Sequence, residues 1–188
     1  MVARAEAAAT TGERILDAAV EVFWEQPTDQ ISLDEIARRA GVTVQTVIRR
    51  FGGRDGLLAA AVERESEKVR RQRNEAVPGD TAGAIRVLIE HYEVTGDPLL
   101  RMLVEEERIP GLRAIVDSGR EFHRAWCARV FGPALARVRG LERERRLAQF
   151  VAVCDVYTWK LLRRDAGLSR RQTELAMVEL LNPLLGGT

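Results

Sequence analysis

Apolar residues recur three and four positions apart along most of the chain, and no Asn-Gly or Asp-Gly turn joins alternating segments, so the pattern predicts an all-α protein. Ile15, Ala18, Ala19, Val22 and Phe23 form the first stripe. Its helix is expected to start at Thr10, where Glu13 completes a capping-box spacing, and to end near Gln26, before Pro27. Residues 1–9 (MVARAEAAA) read as a frayed, flexible tail. Ser32, with Glu35 three positions on, opens a short helix carrying Ile36, Ala37 and Ala40, and Gly41 closes it. Thr43 can cap a second short helix with Val47 and Phe51 on its apolar side. After Gly52 and Gly53 a longer helix starts at Arg54 and carries Leu57, Leu58, Ala61, Val62 and Val69. It becomes charged at Arg70, Arg71 and Arg73, as an exposed end would, and stops at the VPGD break of residues 77–80. Further helices are expected over residues 81–95, 99–108, 112–131, 142–165 and 169–185, with a shorter stretch reaching Val138. Gly96 with Pro98, Pro110 with Gly111, and Gly132 with Pro133 punctuate them.

The stretch from Ser32 to Phe51 carries the clearest chemistry. Two short helices joined by a tight glycine-containing turn are the signature of a helix-turn-helix, which reads bases from the first turns of its second helix. On that helix Gln45 can pair with adenine, Arg49 with guanine, and Val44 or the Thr46 methyl can meet a thymine methyl. Thr43, Arg50 and Arg54 complete the candidate DNA-binding set. Between Arg38 and Arg54 stand five arginines and no acidic residue, although residues 1–60 as a whole hold seven basic and nine acidic side chains. The plain alternative is a solvated basic face on an ordinary helical hairpin.

Composition narrows the classes. A chain of 188 residues makes one large domain or two small ones, and a 46% hydrophobic content supports a packed core. The net charge is only +1, so a positive field for DNA has to come from a local patch. Cys127 and Cys154 lie inside apolar helical patterns, a thiol usage typical of a reducing cytoplasm. No apolar run approaches the roughly 20 residues of a membrane span, and residues 1–9 lack a signal-peptide core. A cytoplasmic protein without membrane contact is expected.

The segments ERILDAAVEVF, ISLDEIARRAGVTVQTVIRRF and GRDGLLAAAV, in that order over residues 13–62, resemble the N-terminal domain of the TetR (tetracycline repressor) family of bacterial transcriptional regulators. The resemblance implies a three-helix helix-turn-helix domain over residues 10–70, with its motif at 32–51. A long helix would link it to a helical effector-binding and dimerisation domain over residues 71–188. It further implies a regulator, by default a repressor, that binds a pseudo-palindromic operator in double-stranded DNA as a homodimer and is released by a small-molecule effector. Three positions depart from the pattern: Ile48 replaces an aromatic, commonly a phosphate-contacting tyrosine; Arg54 replaces lysine; and Gln26 with Pro27 stand where glycine is usual. Ile48 and the net negative charge of the first 60 residues keep a second reading open, a protein of this fold that acts through a protein partner with weak or no DNA reading.

The second half carries the remaining candidates. Residues 142–165 are apolar on two sides, and a helix of that kind is covered twice, once by its own core and once by a partner chain or a larger core. Phe150, Cys154 and Leu161, with Met177, Leu180, Leu181 and Leu184 of the last helix, are the expected dimer interface. Tyr92, Met102, Phe122, His123, Trp126, Phe150, Tyr157 and Trp159 combine size with, in most cases, a polar handle, and are the candidate pocket residues. Aromatics outnumber charges among them, which points to a hydrophobic effector. Asp155 stands in an apolar run and needs an arginine at the interface, a cationic ligand or water. An enzyme is not expected: glycine-rich phosphate loops, GxSxG and HExxH are missing. His123 and Cys127 share a helix face, but two histidines and two cysteines without a CxxC make a poor metal set, and no cofactor or metal is expected.

Overall fold

The computed structural model describes residues 2–109 and 111–186, and among them all regular structure is helical. The helices are α1 (Val2–Glu25), α2 (Leu33–Ala40), α3 (Val44–Phe51), α4 (Arg54–Asn74), α5 (Thr81–Glu105), α6 (Leu112–Val130), α7 (Gly132–Leu135), α8 (Gly140–Val153), α9 (Val156–Lys160) and α10 (Arg170–Leu185). A 3-10 turn at Thr28–Gln30 joins α1 to α2, and a π-helical stretch at Leu161–Asp165 continues α9. The chain divides into two compact units inside α4, between Lys68 and Val69.

The first unit closes α1, α2, α3 and the start of α4 around Ile15, Ala19, Val22, Ile36, Val47 and Leu57, all shut off from solvent. Phe23, Phe51 and Leu58 pack half-buried against this centre. Fully burying a side chain of the leucine or isoleucine class contributes about 1.5–3 kcal/mol, which is what pins helices of eight residues that are marginal alone. Polar ties add to the packing. Arg14 donates to the carbonyl of Ala40 at the end of α2, and Arg64 of α4 reaches Glu13 and Asp17 of α1. The first helix differs from its expected start. It is helical from Val2, so Thr10 lies within α1 and does not cap it. Five alanines among residues 3–9 explain the extension, alanine being the strongest helix former. Met1 lies outside the described residues.

The second unit is built on α5. Its Ile85, Leu88, Ile89 and Tyr92 meet Trp126, Cys127 and Val130 of α6, Phe150 of α8, Trp159 of α9, and Met177 and Leu181 of α10 in one buried cluster. Here the expected break at Gly96 and Pro98 does not occur, and α5 runs unbroken to Glu105 with Pro98 inside it. Pro98 cannot donate to the carbonyl of Val94, but that residue's side chain is exposed, on the wet side of the helix. Gly96 is buried beneath the six-membered ring of Trp159, so close that a Cβ there would collide with it. The glycine therefore serves close packing, not a stop. Gly96→Ala is expected to cost about 1–3 kcal/mol through overpacking, read as a lower midpoint in thermal unfolding; an unchanged midpoint would contradict this contact.

The reverse holds at residues 142–165, where the structure has a break. One long helix is expected there, yet α8 ends at Val153 and α9 starts afresh at Val156. Asp155 makes the new start, its carboxylate accepting from the Tyr157 N–H at 2.9 Å. Thr158 Oγ1 also donates to the carbonyl of Ala152 at 2.7 Å, satisfying the end of α8. The charge in the apolar run thus serves its own chain as the cap of α9. Ser169 and Gln172 form a full reciprocal capping box on α10. The break expected at Pro110 lies outside the described residues.

Candidate functional site

The helix-turn-helix is assembled by local chemistry. Ser32 Oγ accepts from the Glu35 N–H at 3.2 Å and starts α2. Glu35 does not complete the box; its carboxylate turns instead to Arg38 and Arg39. Gly41 takes φ 64° and Gly52 takes φ 79°, left-handed conformations that end α2 and α3. Thr43 caps α3, its Oγ1 accepting from the Thr46 N–H at 3.2 Å and lying 3.0 Å from Thr46 Oγ1.

This geometry sorts the candidate DNA contacts. Gln45 and Arg49 are exposed, and neither has a hydrogen-bond or ion-pair partner among the described residues. Ile48 lies on the helix between them and is 40% exposed. Val44 instead packs half-buried against the unit's core, which withdraws much of it from a thymine methyl. Arg50 turns toward α1, where its guanidinium fills the space a Cβ on Gly12 would need and sits 5.9 Å from the Phe51 ring centre.

The run of five arginines is less basic in space than in sequence. Arg39 bridges Glu25 and Glu35, each at 2.7 Å, and Arg38 also pairs with Glu35 at 2.7 Å. Hydrogen bonds from Arg38 and Arg39 hold the Glu35 carboxyl down to about 2, so it stays ionised and balances them. Arg54 also departs from its expected role. Its Nη2 donates to the carbonyl of Thr28 at 2.6 Å and its Nε to that of Ile31 at 3.2 Å, clamping the turn between α1 and α2. Arg54→Ala is therefore expected to destabilise the first unit by about 1–3 kcal/mol in chemical unfolding. A variant of unchanged stability that loses only DNA affinity would return Arg54 to the DNA-binding set.

In the second unit the expected pocket residues separate. Tyr92, His123 and Trp126 come together. Phe150 stacks on Phe131 with centroids 4.2 Å apart, and Trp159 lies on Gly96, both as core. Tyr157 is half exposed, pointing away from the core, while Met102 and Phe122 are partly buried outside the main cluster. The three that converge surround a residue read from sequence as an exposed charge. Arg73 is 3% exposed. Its guanidinium lies 4.3 Å from the Trp126 ring centre and 5.8 Å from that of Tyr92, and Nη2 is 2.8 Å from His123 Nδ1. A guanidinium only donates, so Nδ1 accepts and the His123 proton sits on Nε2, facing the Val151 carbonyl at 3.3 Å. Val69, Arg73 and Ala76 recur at helical spacing, the signal that places Arg73 on the apolar stripe.

The groups around it are strongly perturbed. His91 is held down to about 3, by burial first and then by the charge of Arg73, so it stays neutral. Burial pushes the Tyr92 hydroxyl upward, and it donates to the Cys154 carbonyl at 3.0 Å. Cys127 is drawn down to about 6, mainly by its hydrogen bond with Cys154 and also by His123, whose Nε2 lies 3.8 Å from its sulfur. Burial drives Cys154 the other way. Among the described residues no set of three His, Cys, Asp or Glu side chains could hold a metal ion. A cleft of about 150 Å³ lies elsewhere, lined by Gly79, Thr81, Phe131, Pro133, Arg137 and Leu185 among others, and none of the eight expected pocket residues borders it.

The expected interface residues divide in the same way. Phe150, Cys154, Met177 and Leu181 are completely buried within this chain's own core and cannot meet a partner. Leu184 is half-buried against that core. Leu161 and Leu180 are 59% and 49% exposed, and Leu175 and Tyr157, not expected at an interface, are exposed as well. The helical period puts Met177 and Leu181 on the inner face of α10 and Leu180 on the outer one.

Residues 15–61 match the family model described as bacterial regulatory proteins, tetR family. The transcriptional regulator SrpR of Pseudomonas putida is 46% identical over 52 residues, a stretch that covers 28% of this chain and 24% of SrpR. Matches to the curated relatives span from 24% to 52% of those proteins' own lengths. The fold likeness extends further. A transcriptional regulator from Rhodococcus sp. Rha1 superposes with a TM-score of 0.71 at 22% identity, over 93% of this chain and 95% of that one. A regulator FadR from Bacillus subtilis, solved in complex with stearoyl-CoA, gives a TM-score of 0.64 at 17% identity, over 94% and 98%. No helix of the described residues is long and apolar enough to cross a membrane. Residues 15–61, from α1 into α4, thus form a helix-turn-helix domain of the tetR type, and the fold of nearly the whole chain is shared with solved transcriptional regulators.

Proposed function

We propose that the protein is a transcriptional repressor that binds a pseudo-palindromic operator as a homodimer and leaves it when a small molecule occupies the second unit. The observation that carries this reading is the outer face of α3, where Gln45 and Arg49 stand exposed with no partner in their own chain. Free donors and acceptors on a helix capped at both ends are what direct base reading requires. Ile48, between them, offers methyl groups to a thymine methyl and no hydrogen bond to a phosphate. Arg49 then supplies the main positive charge on this face, because Arg38, Arg39 and Arg54 are engaged within the unit.

Exposed leucines at Leu161, Leu175 and Leu180, beside Tyr157, support dimerisation through α9 and α10. A dimer is also what spaces two recognition helices by about one helical turn of DNA, ~34–36 Å, or a multiple of it. The effector acts only through its differential affinity for the DNA-binding and non-binding conformers. The experiment is a mobility-shift titration at physiological salt with DNA from upstream of the protein's own gene, against random DNA of equal length. Selective retardation of the upstream fragment is expected. Equal affinities would reject the operator and favour action through a protein partner.

A further inference from the structure

Resting on the reading that the second unit takes an effector, we propose that Arg73 is the recognition group for an anionic one, a carboxylate with an apolar body held among α4, α5 and α6. The guanidinium is 97% buried by residue exposure, and two of its three nitrogens, Nε and Nη1, have no hydrogen-bond partner. Among the described residues no carboxylate lies within ion-pair distance of it. A buried cation without a counter-charge is costly, because desolvation is not repaid. The side chains that touch it do not repay it. Trp126 and Tyr92 offer ring faces, and His123 offers one lone pair. His91, held neutral by burial, adds no negative charge.

A buried water would satisfy an N–H group but not the charge. A carboxylate does both, through charge-assisted hydrogen bonds to Nη1 or Nε. The walls then favour an apolar remainder: Tyr92, Trp126, Cys127 and Val130 all belong to the buried cluster. Sequence alone points to a hydrophobic effector; the position of Arg73 adds the negative head. The site is also wired to α4. Trp126 Nε1 donates to the Arg73 carbonyl at 2.8 Å, and Arg129 reaches the same oxygen at 3.0 Å and that of Ala76 at 2.8 Å. An anion on the side chain therefore bears on the last turn of the helix whose first turn follows the recognition helix.

The internal rival is Cys127 as a thiolate counter-ion, and the same experiment separates the two. Acetate, benzoate and decanoate are each compared with the matching amide, by thermal shift and tryptophan fluorescence, on the full chain and on the Arg73→Met and Cys127→Ser variants. At least one carboxylate is expected to bind where its amide does not, with roughly ten- to a hundredfold weaker binding in Arg73→Met. Cys127→Ser should keep the preference, and Arg73→Met should melt no lower than the parent, since it removes an uncompensated charge. Should Arg73→Met not fold, Arg73→Lys keeps the charge and must keep the carboxylate preference at reduced affinity. Carboxylates and amides that behave alike, or a preference that survives Arg73→Met, would overturn the proposal, as would loss of the preference in Cys127→Ser alone. DNA binding measured on the same samples without ligand reports separately on the regulator reading, whose failure would appear as unselective binding whatever the carboxylates do.

Discussion

Trp159→Ala is expected to lower the unfolding free energy by about 3–5 kcal/mol. The indole is completely buried. It lies on Gly96, which has no side chain to lean into the space left behind, so the cavity cannot collapse from that side. Its ring centre is 6.0 Å from that of Tyr92, and its Nε1 donates to Glu93 at 3.2 Å. Glu93 also receives Arg163 at 2.9 Å, so removing the indole loosens an ion pair that ties α5 to the stretch after α9. Arg164, 4.5 Å over the same ring, loses its platform. Urea unfolding followed by circular dichroism checks this. A loss below about 1 kcal/mol, the scale of an ordinary surface change, would mean that α9 is not held by this contact.

Gln45→Ala and Arg49→Ala are expected to have the largest functional effect. Each bidentate base contact is worth about 1–3 kcal/mol of discrimination, so each variant should lose roughly 5- to 150-fold in preference for the operator over random DNA. The two positions are one helical turn apart, and the double variant need not equal the sum of the singles. Both side chains are exposed and unpartnered, so thermal midpoints should stay within the small range typical of surface substitutions. Unchanged preference in both variants, with folding intact, would remove α3 as the reading element.

Much of the first unit is legible in the chain because its signals are local. Ser32, Gly41, Thr43 and Gly52 act on backbone groups within four residues, and all four do what their residue types dictate. What stays hidden is set by contacts distant in sequence. Arg54 reads as a cation free for phosphate until the fold brings the carbonyls of Thr28 and Ile31 to it. Arg39 reads as part of a basic run until Glu25, fourteen residues earlier, arrives beside it. In the second unit, Gly96 and Pro98 carry the usual sign of a helix end, yet packing of Trp159 on α5 overrides it. At Asp155 a capping residue inside an apolar run is the signal that outweighs periodicity. The interface residues divide because two apolar stripes on one helix are equivalent in sequence, and only the three-dimensional core decides which of them it consumes.

Sequence-specific DNA reading by paired copies of α3 can be read out by selecting bound duplexes from a random pool at physiological salt. Enrichment of a two-fold symmetric motif is expected, with half-sites about one helical turn apart or a multiple of that, and its loss with Arg49→Ala. A pool that stays random, or a motif that survives the loss of both Gln45 and Arg49 side chains, would contradict it.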